Sequence, residues 1–117
     1  MNVEFSVLER KYKLYREEYE QAALQALRSG WYILGRELKK FEESFAEYIG
    51  SANCIGVNSG TDALILAFRA LEIGVGDEVI VPAGTYIASV IGITENGARP
   101  VFVDSDEYLQ MDAEKIE

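Results

Sequence analysis

At 117 residues, with 49% hydrophobic and 26% charged, the chain fits one ordinary globular domain rather than a disordered segment. Eleven Lys plus Arg against twenty Asp plus Glu leave a net charge of −9, which argues against nucleic acid, because phosphate-backbone binding needs clustered cations. With no histidine and one cysteine, Cys54, the chain can form no internal disulfide and no Ser-His or Cys-His pair, and a metal site is not expected. A small phosphorylated ligand stays compatible, since the N–H groups at a helix start hold one phosphate without any cation.

The opening MNVEFSVLERKYK lacks the apolar core and small-residue cleavage pattern of a signal peptide, and no run of about 18 apolar residues occurs. The expectation is a cytoplasmic protein with no membrane contact. Leu8, Tyr12, Tyr15, Tyr19, Ala22 and Ala26 step by four and three, so a helix is predicted from Val7 to Arg28, stopped at Ser29-Gly30. The short Gly-bounded run Trp31–Leu34 follows. Leu38, Phe41, Phe45 and Tyr48 then draw a second helix that ends at Gly50.

From there the pattern changes. Cys54–Val57 reads as a strand, Asn58-Ser59-Gly60-Thr61 as a turn, and Asp62–Leu71 as a buried helix with acidic Asp62 in its first turn. Glu78–Val81 is a β-branched strand ended by Pro82, Thr85–Asn96 a helix stopped by Gly97, and Val101–Val103 a third strand. A last helix is expected near Asp112. The fold class is therefore α/β: N-terminal helices, then a β-α-β-α-β unit whose helix-length crossovers imply parallel strands buried on both faces. Residues 1–50 form the helical segment and 51–117 an incomplete α/β domain, because three strands leave sheet edges without partners.

Three places can carry chemistry. The turn Asn58–Asp62 joins a strand to a helix start, where unpaired N–H groups and the helix dipole favour an anion; Gly60 admits close approach and Thr61 adds a hydroxyl. Taken alone, such a Ser-Gly-Thr turn before a helix is more often plain capping. The turn fits neither the G-x-G-x-x-G nor the G-x-x-x-x-G-K-[ST] pattern, so dinucleotide and ATP sites are not supported. Tyr86, at the next strand-to-helix turn, either lies against a flat heteroaromatic ligand or packs at the sheet's end with its hydroxyl in water. Asp104 is an acid, a ligand group or an N-cap, whereas Asp106 and Asp112 are expected to be solvated. Trp31 and Tyr32 line a pocket, a subunit contact or the core.

Taken together these runs are more specific than any one alone. Phe41-Glu42, Tyr48-Ile49-Gly50 and Ile55–Leu64 are followed by Gly76–Pro82, Thr85–Ser89 and Gly97–Asp104 in close order. The succession resembles the N-terminal part of the DegT/DnrJ/StrS nucleotide-sugar aminotransferases, which are pyridoxal-phosphate (PLP) enzymes of the aspartate-aminotransferase fold type, and Ser29–Gly35 suits that family too. The resemblance implies amino transfer, usually from glutamate, to a keto-sugar carried on a nucleoside diphosphate, in an active site formed between the subunits of a homodimer. It implies that Gly60, Thr61 and Asp62 bind the PLP phosphate through their backbone and that Tyr86 stacks on the pyridine ring. The version Thr85-Tyr86-Ile87-Ala88-Ser89 resembles the branch that aminates C3 of a dTDP-linked keto-sugar, a dTDP-3-keto-6-deoxyhexose.

In that family the Schiff-base lysine and the pyridine-nitrogen aspartate lie beyond the stretch matched here. Lys11, Lys13, Lys39, Lys40 and Lys115 match no such motif, and Asp104 comes too early, so no catalytic residue is carried over. Some members are dehydratases with histidine in the lysine's place. Two readings outside the family's chemistry accompany this one: a stand-alone phosphate- or nucleotide-binding module, and a truncated, non-catalytic interaction protein.

Overall fold

In the computed structural model, which describes residues 4–116, the first predicted helix is two helices, α1 (Leu8–Leu14) and α2 (Arg16–Ser29). Tyr15 interrupts them at φ −120° and ψ 27°. Neither proline nor glycine causes the break. The Tyr12 hydroxyl donates to Glu20 Oε1 at 2.5 Å, and Arg16 Nε donates to the same oxygen at 2.9 Å. Residues eight apart in a straight helix are about 12 Å apart along the axis, too far for one side chain to bridge comfortably. The bend and the contact therefore go together. The tyrosine stripe read from the spacing covers no core: α1 and α2 contain no buried residue.

Hydrogen bonds from Tyr12 and then Arg16 hold the Glu20 carboxyl below its ordinary 4.5, and Glu20 raises Tyr12 above 10.0. A depressed carboxyl stabilises the bend above its unfolded value and ceases to do so as pH falls through the folded value. A raised phenol stabilises it below its own unfolded value. The bend is thus expected to persist between the ordinary carboxyl value of 4.5 and the ordinary phenol value of 10.0, and to loosen as pH falls below 4.5 through the depressed Glu20 value. Amide chemical shifts of Tyr15 and Arg16, followed against pH, check this; a flat profile from pH 7 to 3 would refute the coupling.

Helix α3 (Arg36–Ile49) forms as the spacing predicts, with Phe41 stacked on Phe45 at 5.6 Å and Tyr48 6.3 Å from Phe45. Gly30 and Gly50 close α2 and α3 at φ 65° and 71°, a left-handed conformation that favours glycine. Cys54–Val57, predicted as a strand, has no strand partner among the described residues. A strand exists only where a neighbour takes its backbone groups. Here the Gly56 N–H donates instead to Glu42 Oε1 at 2.7 Å. The chain divides into two compact units, Met1–Gly56 and Val57–Glu117.

The second unit runs α4 (Gly60–Ala70), β1 (Glu78–Pro82), α5 (Ile87–Thr94), β2 (Arg99–Val103) and a 3-10 turn (Ala113–Lys115). The strands pair in parallel, Glu78 with Arg99 through Pro82 with Val103, so the βαβ reading holds with two strands rather than three. Val81, Ile93 and Ala98 form the buried cluster, with Phe68, Ile73 and Val79 packed against it. Burial on both faces is not met: Ile80 and Phe102 are exposed. Helices α4 and α5 cover the Val79–Val81 side, and no described element covers Ile80.

Helix α4 begins two residues before its predicted start because Ser59 caps it. Helix α5 begins two residues late: the Thr85 N–H turns back to Pro82 O at 3.1 Å, and Tyr86 stays extended as the N-cap. At the last predicted helix, Asp112 caps only the 3-10 turn, accepting from the Glu114 N–H at 3.1 Å. Asp106 accepts from the Tyr108 and Gln110 N–H groups at 2.9 Å each. Both aspartates therefore hold turns rather than being merely solvated. Among the described residues no helix is long and apolar enough to cross a membrane.

Candidate functional site

The sequence makes the start of α4 through a side-chain cap. Ser59 is the N-cap; its Oγ accepts the Asp62 N–H at 3.1 Å and donates to Asp62 Oδ2 at 2.8 Å. Asn58 Nδ2 also donates to Asp62 Oδ2, at 3.2 Å. The Asp62 N–H is therefore already engaged. Gly60 and Thr61 are the first two helical residues, so their N–H groups have no carbonyl one turn back inside the helix to donate to. A Cβ added at Gly60 would meet nothing within 4 Å, so this end is open. Thr61 is half-buried beside it.

The start of α5 lies at the same end of the unit. Asn96 and Gly97, just past α5, lie against Gly74 and Val75, just past α4. The Arg99 N–H, which opens β2, donates to Asp77 O at 2.9 Å, just before β1. Both helices thus finish at the amino ends of the strands, and both begin at the carboxyl ends. Gly60 and Thr61 from α4 and Tyr86 from α5 belong to that edge. Tyr86 is 79% exposed and makes no capping bond, so its ring is free to meet a ligand. Below it, Thr85 Oγ1 and Ser89 Oγ are 2.9 Å apart, which steadies the turn.

Asp104 leaves the end of β2 exposed and pairs with Lys115 at 3.5 Å; Lys115 also pairs with Asp112 at 3.4 Å. The hydrogen bond to Asp112, then the Asp104 charge, raise the Lys115 pKa above 10.5. That favours the ammonium, not the neutral amine a nucleophile needs. Asp104 caps none of the described helices; it is an exposed partner of Lys115, and its Oδ1 accepts the Ser105 N–H at 3.0 Å. Reasoning from sequence gives Asn58 and Ser59 as turn residues, with plain capping as the alternative role. Their role in tying down Asp62 was signalled by the Ser-x-x-Asp spacing. It missed Asn96, whose signal exists only in the packed helices.

Two helix starts gathered at the carboxyl edge of a parallel βαβ unit are the kind of place where α/β domains commonly hold anionic ligands. The chain belongs to the DegT/DnrJ/EryC1/StrS aminotransferase family, matched over residues 13–117. It is 54% identical over 104 residues to the dTDP-3-amino-3,6-dideoxy-alpha-D-galactopyranose transaminase of Aneurinibacillus thermoaerophilus, covering 88% of this chain and 29% of that protein. Its structure is similar to that of Streptomyces venezuelae DesV in complex with a ketimine intermediate, with TM-score 0.83 and 50% identity over 90% of this chain and 28% of DesV. It is also similar to the Escherichia coli GDP-4-keto-6-deoxy-D-mannose-3-dehydratase with bound hydrated PLP, with TM-score 0.74 and 32% identity over 81% of this chain and 26% of that one. The α/β assignment to fold type I PLP enzymes therefore holds. The chain spans less than a third of the length of these relatives.

Proposed function

We propose that residues 51–117 hold the phosphate and ring of PLP for a sugar aminotransferase, with residues 1–50 as its helical N-terminal segment. The observation that carries this reading is the open start of α4, where the Gly60 and Thr61 N–H groups have no acceptor within the helix, at the same edge as exposed Tyr86. Those two N–H groups and the helix dipole bind a phosphate dianion, and the Thr61 hydroxyl adds a donor. Ser59 and Asn58 hydrogen-bond the Asp62 carboxylate and hold it in the turn. The Tyr86 ring covers one face of a pyridine and excludes water from it.

PLP, when bound, supplies the electron sink that transamination requires. The parent reaction is amino transfer from glutamate to a nucleotide-linked keto-sugar, a dTDP-3-keto-6-deoxyhexose, in the cytoplasm. The exposed run Trp31–Leu34 supports pairing of two copies into a homodimer. No lysine of the chain is assigned a catalytic role, and Lys115, held as an ammonium, agrees with that.

Equilibrium dialysis of the purified 117-residue chain against PLP tests the reading. Saturable binding is expected, and Tyr86→Ala should weaken it by up to about tenfold, the worth of one aromatic stacking contact. Gly60→Val, which has room in the fold, should weaken binding without lowering the melting temperature. Borohydride treatment followed by intact mass should give no adduct confined to one lysine. Absence of binding, or equal affinity in Tyr86→Ala and Gly60→Val, would defeat the proposal.

A further inference from the structure

Asn96 sits just past the end of α5, half-buried between the two helices. Its Nδ2 donates to Ile65 O of α4 and to Gly92 O of α5, each at 2.9 Å. Its Oδ1 accepts from Arg69 Nε of α4 at 3.3 Å. One carboxamide thus bonds the backbone of both helices and a side chain of the first. Beside it, a Cβ added at Gly92 would lie 2.9 Å from Leu64 Cβ and 3.3 Å from the Phe68 ring, so the helices are in close contact here.

We infer that Asn96 is a positioning residue that sets the axial register of α4 against α5 and thereby holds Gly60 and Thr61 in step with Tyr86. The inference rests on the reading that these residues share one ligand. Hydrophobic contact alone resists sliding weakly, because it is non-directional. A shift of one residue is about 1.5 Å along the axis, enough to break hydrogen bonds whose useful range spans about 0.5 Å. The contact lies at the carboxyl end of α5 and along the second half of α4, and each helix carries the register rigidly to its amino end, where the ligand groups are.

The test compares Asn96→Ala and Asn96→Asp, which both remove the donated bonds, with Thr94→Ala. Thr94 Oγ1 bonds only its own helix, at Val90 O and Ile91 O, so its loss weakens α5 without touching register. In the ligand-free chain, both Asn96 variants should shift the amide resonances of Gly60, Thr61 and Ile87, and Thr94→Ala should not. Dialysis against PLP should then give a Kd raised about tenfold in both Asn96 variants, the worth of one or two hydrogen bonds, and unchanged in Thr94→Ala. Unmoved resonances at Gly60 and Thr61 overturn the inference, as does an unchanged Kd in the Asn96 variants. Loss of far-UV circular dichroism in both Asn96 variants also overturns it, since Asn96 would then serve folding in general. A wild-type chain that binds no PLP defeats the shared-ligand reading itself. A wild-type chain that binds PLP no better than the Asn96 variants defeats only the register.

Discussion

Ile93→Ala is expected to destabilise the Val57–Glu117 unit by about 3 kcal/mol, within the range of large-to-small changes in packed cores. Ile93 is 1% exposed, the most buried large side chain described, and it sits between Val81 and Ala98 with Phe68, Ile73 and Val79 around it. Removing its outer carbons costs their transfer from water and leaves a cavity that helix α5 can close only by tilting toward β1. A core this small has few other contacts to absorb the loss, and marginal stability is the rule for domains of this size. Urea unfolding followed through the amide resonances of α4 and α5 reads the unit apart from the N-terminal helices. The midpoint should fall with the denaturant slope unchanged. Ile80→Ala, on the exposed side of β1, should cost less than about 1 kcal/mol. Equal losses at Ile80 and Ile93 would mean that the core lies elsewhere.

The second large effect concerns contact between helices rather than a cavity. Gly92→Val should cost about 3 kcal/mol, the upper part of the usual range for overpacking. Alanine at the same place already brings Cβ to 2.9 Å from Leu64 Cβ, and valine adds two methyl groups and a branched Cβ. The identity of the clashing atom makes the test sharp. Leu64→Ala keeps the Cβ and should not rescue Gly92→Val, whereas Leu64→Gly removes it and should recover part of the loss. Rescue by Leu64→Ala would show that the longer Leu64 side chain, and not backbone-near contact, set the spacing. Because α4 and α5 carry the two halves of the proposed cradle, Gly92→Val should also weaken PLP binding, as an independent reading of the same displacement.

Much of the candidate site was legible because its signals are local. Gly60, Thr61 and Asp62 follow a capping residue, and the positive end of a helix dipole is fixed by chain direction alone. Tyr86 follows a strand and precedes a helix, so its place at the carboxyl edge needed only the order of elements. Helix α3 and the strand runs Glu78–Val81 and Val101–Val103 were readable from period and β-branching, although β2 begins two residues earlier, at Arg99. What local pattern could not supply was any feature that depends on a neighbour. Cys54–Val57 has the composition of a strand but no partner, and the Tyr15 bend arises from a contact between residues eight apart.

The sequence by itself determined the β-α-β order from Glu78 to Val103, the polarity of α3, α4 and α5 and hence which turns face the carboxyl edge, because these follow from periodicity and from caps within a few residues. Tertiary structure alone decided the rest. It pins Lys115 between Asp104 and Asp112 and ties α4 to α5 through Asn96 and Gly92. Those outcomes turn on distances between residues far apart in the chain or on side-chain directions, and neither is written in the spacing of apolar residues.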